Sequence, residues 1–183
     1  MILTVLLGPY AAFLVTASVL TVQALFFADG GLLALGCNIF NLGFFPAFVA
    51  YPFIFKPLLG DKPTAARLAR AAMVAAIVGL QLGAFGVVME TVFSGISEVP
   101  FSTFVLVMQP IHLAIGVVEG LVTAAVLSFV WKARPEVMGM AALHQPIGPI
   151  PMKKVLVGLG IAAVITGGML SWFASTNPDG LEW

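Results

Sequence analysis

Long apolar runs separated by short polar clusters set the pattern of this chain. Residues 1–28 and 30–55 are two such runs, parted only by Asp29, and residues 71–89 are a third. Residues 99–131 hold a fourth, which Pro100 and Pro110 are expected to break, leaving 111–131 as the span; residues 155–174 are the fifth. A helix needs about 20 apolar residues to cross the hydrocarbon core. None of the runs alternates polar and apolar residues with period two, which excludes a membrane β-barrel. The pattern therefore predicts an all-α, polytopic transmembrane helical bundle of about five spans.

Orientation follows from where the positive charges fall. Lys56, Lys62, Arg67 and Arg70 cluster between spans two and three, and Lys132, Arg134, Lys153 and Lys154 between spans four and five. The other connections carry Asp29, Glu90, Glu98, Asp179 and Glu182 and no basic residue. The positive-inside bias puts both basic loops in the cytoplasm. With five spans the N-terminus is then cytoplasmic and the tail extracytoplasmic. The first run has no basic residues ahead of it and outlasts a signal-peptide core, so it reads as a retained helix.

Composition fits a cell-membrane protein. The chain is 61% hydrophobic and 9% charged, where soluble domains carry about a quarter charged residues. Net charge is zero, so no basic face exists for nucleic acid. Its 183 residues leave no room for a soluble catalytic module. No Ser-His-Asp pattern, phosphate-binding glycine loop or HExxH is present, and no enzyme is expected. Cys37 is the single cysteine; it can form no internal disulfide and reads as a small core hydrophobe. Residues 132–154, rich in Pro, Gly and Met, read as a cytoplasmic linker joining a four-span unit to a last helix; His144 there is a solvated loop histidine.

Polar groups inside the spans carry the candidate chemistry, because an unpartnered one in lipid costs several kcal/mol. In "QALFFADGGLLALGCNIFN" these are Gln23, Asn38 and Asn41, the two asparagines three apart and so on one helix face. Gln109, His112, Gly116 and Glu119 also share a face, and Glu119 is the one carboxylate well inside an expected span. Such a residue is a functional candidate by default; the alternative is that His112 and Glu119 satisfy each other, or a helix end, as interhelical glue. No complete set of transition-metal ligands can be assembled from His112, Glu119, Cys37, two asparagines and some methionines. The pairs Gly79/Gly83 and Gly116/Gly120 allow close helix packing.

Three segments carry a family resemblance. "GPYAAFLVTASVLTVQALFFADGGLLALGCNIFNLGF" (8–44) and "HLAIGVVEGLVTAAVL" (112–127) resemble the CbiM/NikM family, the substrate-specific membrane subunits of energy-coupling-factor cobalt and nickel importers. "NPDGLEW" (177–183) resembles the PDGLE element of the small NikN-type partner. The resemblance implies residues 1–131 as permease core, 132–154 as linker and 155–183 as a NikN-like helix and tail. It also implies Co²⁺ or Ni²⁺ as transported substrate with no permanently bound cofactor. The partners implied are membrane lipid, a transmembrane coupling subunit, cytoplasmic ATPase subunits and a NikN/CbiN-type protein. Gln23, Asn38, Asn41, His112 and Glu119 would then line a metal chamber or hold its wall. The family's N-terminal Met-His and its further ligand histidine have no counterpart here, so a missing N-terminal segment is expected. Two rivals stand beside this reading: a non-transporting membrane assembly protein or truncated relic, and a self-sufficient channel or carrier using His112 and Glu119.

Overall fold

The computed structural model describes residues 1–27, 29–61, 63–95 and 99–135, together with Lys153, Val157, Gly160, Ile161 and Val164. Met1–Gln145 form one compact unit and Pro146–Trp183 a second. In the first, α1 (Ile2–Leu7) and α2 (Pro9–Phe26) are followed by α3 (Leu35–Ile39), a π-helical segment (Phe40–Phe55) and α4 (Lys56–Leu59). Two long helices complete it, α5 (Ala65–Ser94) and α6 (Phe101–Ala133). Among the described residues there is no strand. Four stretches are long and apolar enough to cross a membrane: Pro9–Phe26, Leu35–Leu59, Ala65–Ser94 and Phe101–Ala133. The five described residues of the second unit are helical; the expected fifth span and His144 otherwise lie outside the described residues.

Three expectations need correction. The first run is two helices, because Gly8 sits at φ 80, a conformation glycine adopts without penalty. Pro9 then opens α2, where its missing N–H is no loss. Second, Pro110 lies inside α6 and does not end it; Pro100 is its N-cap. Continuing through a proline forfeits one backbone bond, whereas a break in lipid would strand several unpaired groups at each new end. Third, α5 extends past the apolar run at both ends. Thr64 accepts the Arg67 N–H at 3.2 Å to cap its start, and Gly95, at φ 67 and ψ 6, closes its end. Glu90 therefore belongs to a span and not to a loop.

Pro46 and Pro52 both lie inside the π-helical segment. A proline ring crowds the carbonyl four residues back; winding to the fifth residue, as where the Lys56 N–H meets the Tyr51 carbonyl, gives a wider turn. Five phenyl rings, Phe13, Phe40, Phe44, Phe45 and Phe48, form a chain of edge and stacked contacts with centroids 5.0–5.7 Å apart. Phe13 contributes to that chain from α2, and Tyr10 joins it against Phe48 at 5.5 Å.

The spans run antiparallel to their neighbours. A Cβ added at Gly79 would lie 3.3 Å from the Ala50 Cβ, and one at Gly83 would lie 2.7 Å from the Asn41 carbonyl oxygen. On the other face of α5, added Cβ atoms at Gly116 and Gly120 would lie 3.3 Å from the Ile77 Cα and 3.2 Å from the Met73 Cα. Backbones this close have room for no larger residue. A core of Phe55, Leu68, Ala71, Ala72, Ala75 and Leu127 fills one end of the array. That end also carries Lys56, Arg67, Arg70, Lys132 and Arg134, while Asp29 and Glu90 mark the opposite end.

Candidate functional site

Polar side chains gather in two places within the first unit. At the acidic end, the Asn41 amide donates to Glu90 Oε2 at 2.8 Å, joining the π-helical segment to α5. Cys37, expected as a core hydrophobe, is exposed and lines the same cleft as Glu90. Asn41 is 3% exposed, and its Oδ1, lying against Gly86, has no hydrogen-bond partner. Nearby, the Asn38 amide donates to the Gly30 carbonyl at 3.0 Å. Gly30 and Gly31 have φ 74 and 71, so the Asp-Gly-Gly turn needs glycine at both positions. A cleft of about 410 Å³ opens here, lined by Ala34, Cys37, Asn38, Val87, Glu90, Thr91 and Ser94.

The second place is a cavity of about 310 Å³ reached by α1, α2, the π-helical segment and α6. Glu119 lines it with Thr4, Thr16 and Thr123; Thr4 and Thr123 are 3% and 1% exposed. The Met1 amine stands 3.6 Å from Glu119 Oε1. A carboxylate at such a cavity, with hydroxyl neighbours, can hold a cation either directly or through water.

The expected site residues do not form one cluster. Asn38 and Asn41 point to different partners because the winding changes from α to π at Phe40, which spoils the three-residue face rule. His112 and Glu119 do not satisfy each other: the His112 Nδ1 bonds within its own helix to the Met108 carbonyl at 2.8 Å, and Glu119 meets Met1. Gln23 uses its backbone carbonyl to accept the N–H groups of Phe27 and Asp29 at 3.0 and 3.2 Å, closing α2. Two features escaped sequence reasoning. Glu90 was hidden by ending the third span at the first charge. Gln81 and Gln109 clamp α5 to α6, the Gln81 amide reaching the Gln109 carbonyl at 2.9 Å and the Gln109 amide the Gln81 carbonyl at 3.5 Å; an i, i+28 pairing leaves no sequence signal. Among the described residues no three of His, Cys, Asp and Glu converge as a metal-ligand group.

Comparison with known proteins follows the same lines. The chain is 37% identical over 138 residues to an Archaeoglobus fulgidus protein provisionally named a fused nickel transport protein NikMN, covering 75% of this chain and 45% of that one. It is 30% identical over 153 residues to the cobalt transport protein CbiM of Geobacter sulfurreducens, covering 81% and 43%. The fused nickel transport protein NikMN of Rhodobacter capsulatus matches over 176 residues at 28% identity, covering 90% and 50%. The chain thus spans about half the length of the curated relatives it matches. No solved structure matches it. Residues 153–183 match the PDGLE domain. Residues 1–137 match the cobalt uptake substrate-specific transmembrane region, and the chain belongs to this CbiM family of multi-pass membrane proteins.

Proposed function

We propose that this chain is a membrane-spanning part of a cobalt or nickel uptake system of the energy-coupling-factor type, feeding cobalamin or nickel-enzyme synthesis. It would work beside a transmembrane coupling subunit and cytoplasmic ATPase subunits, with its PDGLE segment taking the place of a NikN-type partner. The observation that carries the reading within the structure is Glu119, a carboxylate facing a 310 Å³ cavity among membrane-spanning helices. Ionisable groups are kept at such positions chiefly for ion pathways. Glu119 would supply the field that favours a dication, and the buried hydroxyls of Thr4 and Thr123 would hold water around it. Asn41 and Glu90 would keep the wall of the permease in register. Nitrogen and oxygen ligands accept both Co²⁺ and Ni²⁺, so the geometry here is compatible with either substrate.

The test is uptake of radiolabelled Co²⁺ or Ni²⁺ by cells making the gene product that carries this chain together with coupling and ATPase subunits. Uptake above that of cells lacking the product is expected, with loss on Glu119→Gln at unchanged membrane insertion. Uptake no higher than in those control cells refutes the transport reading. Normal uptake by the Gln variant removes Glu119 from it.

A further inference from the structure

The hydroxyls of Ser18, Thr21 and Thr91 bond back to their own helices, each reaching the carbonyl four residues earlier at 2.8, 2.7 and 2.8 Å. That is a common way for a helical hydroxyl to be satisfied. The three threonines of the Glu119 cavity do not follow it. Among the described residues no hydrogen bond is made by the hydroxyl of Thr4, Thr16 or Thr123, although Thr4 and Thr123 are only 3% and 1% exposed. With Glu119 they line the 310 Å³ cavity, so polar side chains converge on it from α1, α2 and α6. No described residue donates a hydrogen bond to Glu119, and the Met1 amine, at 3.6 Å, stands beyond hydrogen-bond reach.

Glu119 lies near the middle of α6 (Phe101–Ala133), at a depth where polar groups without partners are most costly. Water in the cavity removes that cost, and there is room for it: six waters take about 180 Å³ at about 30 Å³ each, against 310 Å³ here. The lining holds neither imidazole nor thiol. A bare dication would meet one charged ligand, which does not repay the loss of its water. A hydrated dication instead points its hydrogens outward in every direction, and carboxylate and hydroxyl oxygens are the acceptors it needs.

We propose that this cavity binds a divalent cation in its hydrated form. The water shell is hydrogen-bonded to Glu119, Thr4, Thr16 and Thr123, and no protein atom enters the inner coordination sphere. Water-mediated contacts of this kind are enthalpically nearly as good as direct ones. The site therefore reads charge and size and does not tell Ni²⁺ from Mg²⁺, because preference among such ions arises when protein ligands replace water. The inference deepens the uptake reading and rests on it for the role of the ion, while binding itself is measured without transport.

Cobalt(III) hexammine is the probe, since it has nearly the size of a hydrated ion, presents N–H donors outward and does not exchange its ligands. The detergent-purified full chain is dialysed to equilibrium against it, and bound cobalt is read by atomic emission with Mg²⁺ and Ni²⁺ as competitors. Saturable binding is expected, displaced by Mg²⁺ and Ni²⁺ with half-points within about threefold of each other. Glu119→Gln should raise the binding midpoint about tenfold or more. Thr123→Val, which keeps the shape, should raise it about two- to tenfold, the scale of one hydrogen bond. Thr21→Val, whose hydroxyl is spent on the Ala17 carbonyl, should leave it unchanged. No saturable binding by the wild-type chain overturns the hydrated site, as does equal binding by wild type and Glu119→Gln with helix content intact. A Ni²⁺ half-point below that of Mg²⁺ by a wider margin also overturns it, since the metal is then ligated directly. Hexammine binding without metal uptake in cells refutes the transport reading alone; uptake without hexammine binding refutes the hydrated site alone.

Discussion

Replacing Gly83 by alanine tests whether the close approach of α5 to the π-helical segment sets the stability of this bundle. The new Cβ would lie 2.7 Å from the Asn41 carbonyl oxygen and 3.4 Å from its carbonyl carbon. Ordinary van der Waals contact begins at 3.4 Å, so the two backbones must part by more than half an ångström. The obstructing atom belongs to the main chain and cannot turn aside as the end of a side chain could. Overpacking of this kind destabilises by about 1–3 kcal/mol. Gly36 is the internal control, because a Cβ there meets nothing within 4 Å. Gly36→Ala, in the helix α3, should be neutral or stabilise by a few tenths to about 1 kcal/mol. Gly79→Ala and Gly116→Ala, each 3.3 Å from its nearest neighbour, should fall between the two.

The assay is unfolding by dodecyl sulfate titration of the detergent-purified chain, followed by circular dichroism. A midpoint for Gly83→Ala clearly below wild type, with Gly36→Ala at or above it, is the expected order. A Gly83 variant as stable as wild type would mean that the contact yields at no cost. Equal losses for Gly83 and Gly36 would mean that glycine content matters and position does not.

Other outcomes follow from single contacts. Gln81→Leu removes the hydrogen bond to the Gln109 carbonyl and should lower stability by about 0.6–2 kcal/mol, the range for interhelical bonds in membranes; no change in the same titration would show the clamp to be idle. Glu90→Leu strands the Asn41 amide at 3% exposure and should cost about 1–3 kcal/mol, while Glu90→Gln should cost less; the reverse order would remove the Asn41–Glu90 bond from the account. In a Cys37→Ala background, cysteines at Leu33 and Asp61, both exposed in turns, should label from opposite sides of the membrane, with position 61 inside; labelling of both from one side refutes the antiparallel array.

The four spans among the described residues were legible because hydrocarbon thickness selects for length, and length survives in a bare sequence. Helix ends were less so. The Gly8-Pro9 step interrupts an unbroken apolar run, and composition outweighed the dihedral that glycine permits. Pro110 misled in the other direction, since a proline that would end a helix in water is carried through when the alternative is unpaired backbone in lipid. Glu90 was misplaced by letting the first charge end a span, whereas the stop is the left-handed Gly95. Asn38 and Asn41 share a face only if the helix keeps its α winding, and nothing in their spacing announces the change at Phe40. The Gln81–Gln109 clamp depends on register between two helices, which no local pattern encodes.

Glycine spacing and buried polarity, separate features in the sequence, are one device in the molecule. Gly83 lets the main chain at Asn41 lie directly on α5, and Gly86 leaves room for the Asn41 side chain. That approach carries the Asn41 amide to within 2.8 Å of Glu90, one helical turn beyond Gly86, and brings α3 with Cys37 over the same carboxylate. A larger residue at either glycine would therefore do more than loosen packing. It would lift Asn41 from Glu90, free the carboxylate to move, and open the cleft that Cys37 shares with it. The charge at this end of the bundle is thus positioned by van der Waals contact some distance away, and a change at Gly83 should be readable as altered Cys37 reactivity even where the bundle still folds.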